Sequence, residues 1–177
     1  MGAFTYPRSE PGSGGHQDLV ERLNSHAVEL RRDVSDLPPA ALTFRPGDGE
    51  WSIKETCGHL GDAARVLHQR LFMMIKLEEP RLPGYDAWEL VRERNPQSAP
   101  IADLLAEFAG QRVDTVELLT DLVHWNWARP GRHPTHGRIS IRQQVELAIE
   151  HEEEHLAQVR RLKEQTLASP VATPGAS

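Results

Sequence analysis

Leu19, Leu23, Ala27, Leu30, Val34 and Leu37 recur at steps of four and three, which places them on one face of a helix turning ~100° per residue. Pro38-Pro39 ends that helix, because proline lacks the backbone donor a helix interior requires. Three further segments carry the same period. Trp51 precedes Ser52, and Glu55 follows three residues later, the capping-box pattern that satisfies orphan backbone donors at a helix start. This second helix is expected to run to about Glu79, before Pro80. A third carries Ile101, Leu104, Leu105, Phe108, Val116, Leu119 and Val123, with Arg112 and Thr115 interrupting the stripe. A fourth, starting near Ser140, carries Ile141, Val145, Ala148, Val159 and Leu162 on one face. No strand alternation competes with these patterns. The fold class is therefore all-α, a four-helix bundle.

The connections refine this reading. Residues 38–50, with Pro46, Gly47 and Gly49, read as a loop, and residues 125–137 as an irregular one. The proline-containing segment 81–100 has room for one short helix around Asp86–Arg94. A connection of about 20 residues spans roughly 60 Å when extended, more than a helix of about 40 Å. It is long enough for the second and third helices to run parallel. Residues 1–15 and 169–177, rich in Gly, Pro, Ser and Ala, are expected to be disordered tails around one domain, residues 16–168.

Charge and cysteine usage narrow the setting. A formal net charge of -6 disfavours nucleic-acid or acidic-membrane partners, which call for an excess of Lys and Arg. No stretch approaches the roughly 18 apolar residues of a membrane span, and the N-terminus lacks the apolar run of a signal peptide. One cysteine, Cys57, forms no internal disulfide, so a cytoplasmic protein is expected. Arg129, Arg132 and Arg138 cluster with His133 and His136. They read either as a solvated loop or as a substrate-binding rim for a carboxylate or phosphate.

His151 and His155 lie one helical turn apart, ~40° around the axis from each other, on the side of the apolar stripe. Two imidazoles so placed can address one transition-metal ion. His59 shares a helix face with Ala63, Val66, Met73 and Leu77 and is the expected third ligand. His68 and Cys57 fall on other faces, and Cys57 reads as a small structural residue. Three ligands leave positions open, the catalytic kind of site. Glu152, ~60° from His155 on the stripe side, is the candidate catalytic base or orienter, with Asp62 and Glu55 beside His59 in lesser versions of that role. Glu150 and Glu153 point outward.

His151-Glu152-Glu153-Glu154-His155 also spells the zinc-protease pattern His-Glu-x-x-His. After Glu164, however, the sequence offers no His, Asp or Glu to serve as a downstream third ligand. Glu152-x-x-His155 fits half of a di-iron bundle site, but Glu55 and His59 are four apart instead of three, so the second half fails.

Trp51-Ser52-Ile53, His59-Leu60-Gly61-Asp62, His133-Pro134-Thr135-His136-Gly137 and His151 to His155 with Leu156 and Gln158 together resemble the DinB/YfiT-like family of small four-helix metal proteins. The resemblance runs from about Trp51 to Leu162. It implies an up-down-down-up bundle with a long crossover between helices two and three, and a three-histidine site matching His59, His151 and His155. The cofactor expected is one divalent metal ion, Zn or Ni first, with Fe or Mn as alternatives. Family members include transferases and isomerases using low-molecular-weight thiols such as bacillithiol, mycothiol or glutathione. A small-molecule substrate, with such a thiol or metal-activated water as nucleophile, is the expected chemistry, and a homodimer is a further expectation. A noncatalytic metal-binding or interaction protein is the alternative. The triple-glutamate spacer departs from the family pattern and makes this site more anionic.

Overall fold

The computed structural model describes residues 14–168; the expected tails, residues 1–15 and 169–177, lie outside the described residues except for Gly14 and Gly15, which begin the first helix. Among the described residues there are six α-helices: α1 (Gly14–Val34), α2 (Pro39–Thr43), α3 (Ile53–Lys76), α4 (Ala87–Arg94), α5 (Ile101–Thr120) and α6 (Ile141–Ala168). The four long ones build the bundle. Local chemistry sets their starts. Ser52 Oγ accepts from Glu55 N while Glu55 Oε2 accepts from Ser52 N at 3.0 Å, and Ser140 with Gln143 repeats the exchange at α6. Asp86 caps α4 by accepting from Glu89 N.

Paired side chains give the helix directions. Arg22 meets Glu153 and Arg160 meets Asp33, so α1 and α6 run the same way. Arg65 meets Glu107 and His68 meets Thr115, so α3 and α5 also run the same way. The N-terminal part of α3, with Ile53, Cys57 and Leu60, packs with Leu156, Val159 and Leu162 late in α6, and Leu67, Leu71 and Met74 pack with Ile141, Val145 and Ile149. The two pairs are thus antiparallel to each other. Segment 77–100 carries the chain back along α3, with α4 inside it.

Several boundaries differ from the sequence reading. Residues 130–140, expected as irregular loop, contain an antiparallel hairpin of β1 (Pro130–His133) and β2 (Gly137–Ser140), with Arg132 opposite Arg138. Gly137 at φ 69° supplies the left-handed turn conformation that glycine tolerates. The ladder is extended by segment 80–82, since Arg132 N donates to Pro80 O and Leu82 N to Arg132 O. So short a hairpin has no alternation to read; its partner is distant in sequence. Residues 39–43, also read as loop, form α2 with proline at its first turn, where the missing donor is harmless. Helix α3 stops at Lys76, and Val123 lies beyond α5.

The core has two apolar clusters separated by a polar layer. One holds Leu30, Val34, Ile53, Leu60, Phe108, Leu156 and Val159; the other holds Leu19, Leu23, Leu71, Leu119, Ile141, Val145 and Ile149. Between them, in chain order on each helix, come His26, Arg112 and Glu152, all under 4% exposed. Arg112 and Thr115 are therefore not exposed interruptions of the α5 stripe but buried members of it.

Close packing of α3 against segment 96–98 makes a test. A Cβ on Gly58 would lie 2.4 Å from Pro96 Cγ, whereas one on Gly110 of α5 meets nothing within 4 Å. Alanine outranks glycine in a helix by about 0.8–1 kcal/mol, and overpacking costs about 1–3 kcal/mol. Gly110→Ala should raise the urea midpoint and Gly58→Ala lower it; a stabilising Gly58→Ala would contradict this packing.

Candidate metal centre

Helices α3 and α6 bring three imidazoles to one point. His59 Nε2 lies 2.9 Å from His151 Nε2, which lies 3.1 Å from His155 Nε2. Among the described residues this is the one group of three His, Cys, Asp or Glu side chains whose ligand atoms converge within 4.8 Å. Tetrahedral nitrogen ligands at about 2.0–2.1 Å from an ion sit about 3.3–3.4 Å from one another, close to this spacing.

The donor set fits a cation on its own chemistry. His155 Nδ1 lies 2.8 Å from Gln158 Oε1, an acceptor, so that nitrogen carries the ring proton and Nε2 presents a lone pair. His151 Nε2 faces both neighbours and has at most one proton to offer. At most one of its two contacts is therefore a hydrogen bond, and a shared cation relieves the other. Burial pushes His59 down to about 3 and His151 to about 4, and lowers His155 as well; the neighbouring imidazoles add to the effect on the first two. All three are neutral near pH 7, the form that ligates metals.

The histidines occupy the flanks of their helices rather than the core stripes. The buried stripe of α3 is Leu60, Ala64, Leu67, Leu71 and Met74, while Val66 and Met73 are half-buried and Leu77 is exposed. On α6 the stripe runs through Ile149, Glu152, Leu156 and Val159, leaving His151 and His155 half-buried beside it. Trp51 covers the trio from one side, with ring centroids 4.8 Å from His59 and 6.0 Å from His155, and Trp88 packs on Trp51. On the other side opens a cavity of about 400 Å³, whose wall includes His151, Gln144, Arg70, Tyr85 and His133.

The carboxylates and arginines expected at the site are mostly engaged elsewhere. Glu152 accepts from Arg112 and, at 2.8 Å, from His26 Nδ1. With both oxygens so held, it braces the helix behind His151 and is not free as a base. Glu55 is committed to the α3 cap and to Arg45, and Asp62 to Arg94 and Arg65. Arg129 donates to the carbonyls of Met74 and Leu77 at the end of α3, as cations do at helix C-termini. Arg132 and Arg138 are exposed and pair with Glu79. None of the three expected rim arginines lines the cavity; Arg70 does. Its position was legible, since His59, Ala63, Val66 and Arg70 are spaced by four, three and four residues, one helix flank. Cys57 is fully buried, its thiol pushed up to about 12 by that burial, consistent with a structural role.

With this geometry in view, comparison with known proteins is informative. A profile of the DinB superfamily matches residues 22–159. The chain belongs to the DinB superfamily. Two relatives from Oceanobacillus iheyensis are named as candidate metal-dependent hydrolases: OB0782, 29% identical with 82% of this chain and 80% of the relative covered, and OB0413, 24% identical with 81% and 82% covered. YfiT of Bacillus subtilis, named in the same way, is 24% identical over 88% of each chain. Its solved structure, described as an unusual four-helix bundle topology, superposes with a TM-score of 0.84 over 92% of this chain and 93% of that one, at 20% identity. The four-helix bundle of this DinB chain is thereby shown from sequence and structure together.

Glu152 and His151 separate brace from ligand. Glu152→Ala strands Arg112 without its partner, and breaking a buried ion pair costs about 3–5 kcal/mol. His151→Ala removes a half-buried ring with no such partner. Chemical denaturation of metal-free protein should show the larger loss for Glu152→Ala; equal losses would contradict the assignment of Glu152 as the brace.

Proposed function

We propose that this DinB protein is a divalent-metal-dependent enzyme acting on a small molecule, with His59, His151 and His155 as the ligands and the adjoining cavity as the substrate site. The convergence of three neutral Nε2 atoms at one point, with His151 on the cavity wall, carries this reading. A bound divalent cation supplies Lewis-acid polarisation and depresses the pKa of a nucleophile beside it. A nitrogen-only donor set suits Zn or Ni, with Fe and Mn less well matched.

The chain's own groups do the rest. Gln158 fixes the His155 ring, and the Arg112–Glu152–His26 layer fixes the turn of α6 that carries His151. Trp51 and Trp88 keep water from the far side of the triad. Gln144 Oε1 is buried without a partner on the cavity wall, an acceptor available to a donor on the substrate. Tyr85 adds a hydroxyl that partial burial keeps protonated, its pKa raised. The reaction that fits is transfer of an electrophilic group to a low-molecular-weight thiol or to water. Hydrolase naming among the relatives supports the water branch; the open cavity accommodates either nucleophile. The described helices include none long and apolar enough to cross a membrane.

Metal analysis of purified protein tests this first. We expect about one Zn or Ni per chain, at least tenfold less in His155→Ala, and a melting temperature that falls on chelation, as removal of a native-state ligand requires. Negligible metal in both proteins would overturn the proposal. Turnover of an activated ester or an alkyl electrophile, with and without added thiol, then separates the two branches; metal binding without turnover of either would favour a noncatalytic role.

A further inference from the structure

The cavity has a second polar end, away from the histidine trio. Arg70 of α3 is 8% exposed and is held in place by Pro83 O, which accepts from its Nε at 3.0 Å and its Nη2 at 2.7 Å. Its remaining terminal nitrogen, Nη1, lies 2.8 Å from His133 Nε2. His133 sits at the end of β1, and Arg70, Tyr85, His133, Thr135 and His136 all line the cavity whose wall includes His151.

The proton inventory of His133 does not close within the protein. Thr135 N and His136 N point at its Nδ1 from 3.2 and 3.3 Å, and Thr135 Oγ1 lies 3.2 Å away. Backbone amides can only donate, so Nδ1 must be the acceptor. The opposite tautomer would set two amide N–H groups against a ring N–H. A neutral imidazole with a lone pair at Nδ1 carries its proton on Nε2. Burial and the Arg70 charge hold His133 well below its ordinary value, at about 4, so the ring is neutral near pH 7. His133 Nε2–H and Arg70 Nη1–H therefore face each other, donor against donor, at the edge of a cavity.

We propose that Arg70 and His133 together hold the carboxylate end of the substrate whose reacting end lies at His151, an assignment that rests on the metal-enzyme reading above. An oxyanion placed between two donors turns their repulsion into two charge-assisted hydrogen bonds. The pair is prepaid in geometry, because Pro83 O fixes the guanidinium and the hairpin turn fixes the ring. Both a carboxylate and a phosphate present such oxygens. Glu150 and Glu154, exposed at the cavity wall, repel a second negative charge, which favours a monocarboxylate over a phosphate dianion. Glu152, the third acid on that wall, is already paired with Arg112 and His26. The arginines Arg129, Arg132 and Arg138 take no part.

Titration of the full chain with butyrate, its isostere butyramide, and inorganic phosphate tests this, read by the NMR signals of the His133 and Tyr85 rings. The protein is used both as purified and after metal removal with phenanthroline and desalting, so binding at Arg70 is scored apart from binding at the histidine trio. Butyrate should shift the His133 and Tyr85 signals in both preparations, with an affinity at least tenfold better than butyramide. Arg70→Met should weaken butyrate binding at least tenfold, and Arg70→Lys should recover part of it. Should Arg70→Met fail to fold, the butyrate and butyramide comparison in the wild-type protein still decides. Equal affinity for the acid and the amide, or shifts that vanish on metal removal, would overturn the proposal, and preference for phosphate would overturn its carboxylate assignment. A protein that binds butyrate in this way but holds no metal would refute the metal reading while leaving this one standing.

Discussion

Glu152 accepts from Arg112 of α5 and His26 of α1 in the middle of the bundle, where the flanking layers are leucine, isoleucine and phenylalanine. Burying such charges is expensive, and an apolar replacement of similar shape is often as stable. What the layer provides is register. It ties three of the four long helices at one level, and α6 cannot slide or rotate there without leaving Arg112 unpaired. His151 is the next residue on that turn. The position of its imidazole relative to His59 of α3 is thus set from behind by an ion cluster, and in front by Trp51 and the cavity.

This arrangement explains why an interior so polar coexists with an ordered bundle. The core is divided into two apolar clusters, each spanning all four long helices, and in the polar layer between them both Glu152 oxygens are paired while Arg112 Nε and Nη1 are buried without a partner. Beside that layer, on the flanks of α3 and α6, the three histidines meet with His59 buried and His151 and His155 half-buried. A fully buried trio would have no route for substrate, and an exposed one would lack the desolvation that keeps the rings neutral. The hairpin and segment 80–85 close the other side of the cavity, bringing His133 and Tyr85 within reach of Arg70. The DinB bundle is thereby a frame with the reactive flank at its surface.

Much of this was legible from residue spacing. The stripes of α1, α5 and α6, the Ser52–Glu55 cap and the one-turn spacing of His151 and His155 follow from periodicities of a single helix, which sequence displays directly; the α3 face read from His59, Ala63, Val66, Met73 and Leu77 is instead the flank beside the buried stripe of Leu60, Ala64, Leu67, Leu71 and Met74. Placing His59 with them needed only the same helical arithmetic. Failures began where two elements had to meet. Glu152 stayed open between base and orienter because nothing in its own helix reveals Arg112 or His26 opposite. Arg129, Arg132 and Arg138 looked like a rim because they are close in sequence, yet the hairpin turns Arg132 and Arg138 outward to Glu79, and Arg129 serves the end of α3. Arg70 shares the His59 flank at regular spacing, but its importance depends on Pro83 and His133, which arrive from a loop and a strand. The hairpin itself is too short to show alternation.

The central claim is that three Nε2 atoms, from His59, His151 and His155, form one metal site beside a substrate cavity. X-ray absorption at the edge of the bound metal measures this directly. The account predicts a shell with three imidazole nitrogens at about 2.0–2.1 Å, the outer-ring scattering of histidine, and one or two further oxygen ligands. It also predicts that His59→Ala removes one imidazole from that shell without introducing sulfur. A shell dominated by carboxylate oxygen, by sulfur, or unchanged in His59→Ala would contradict it.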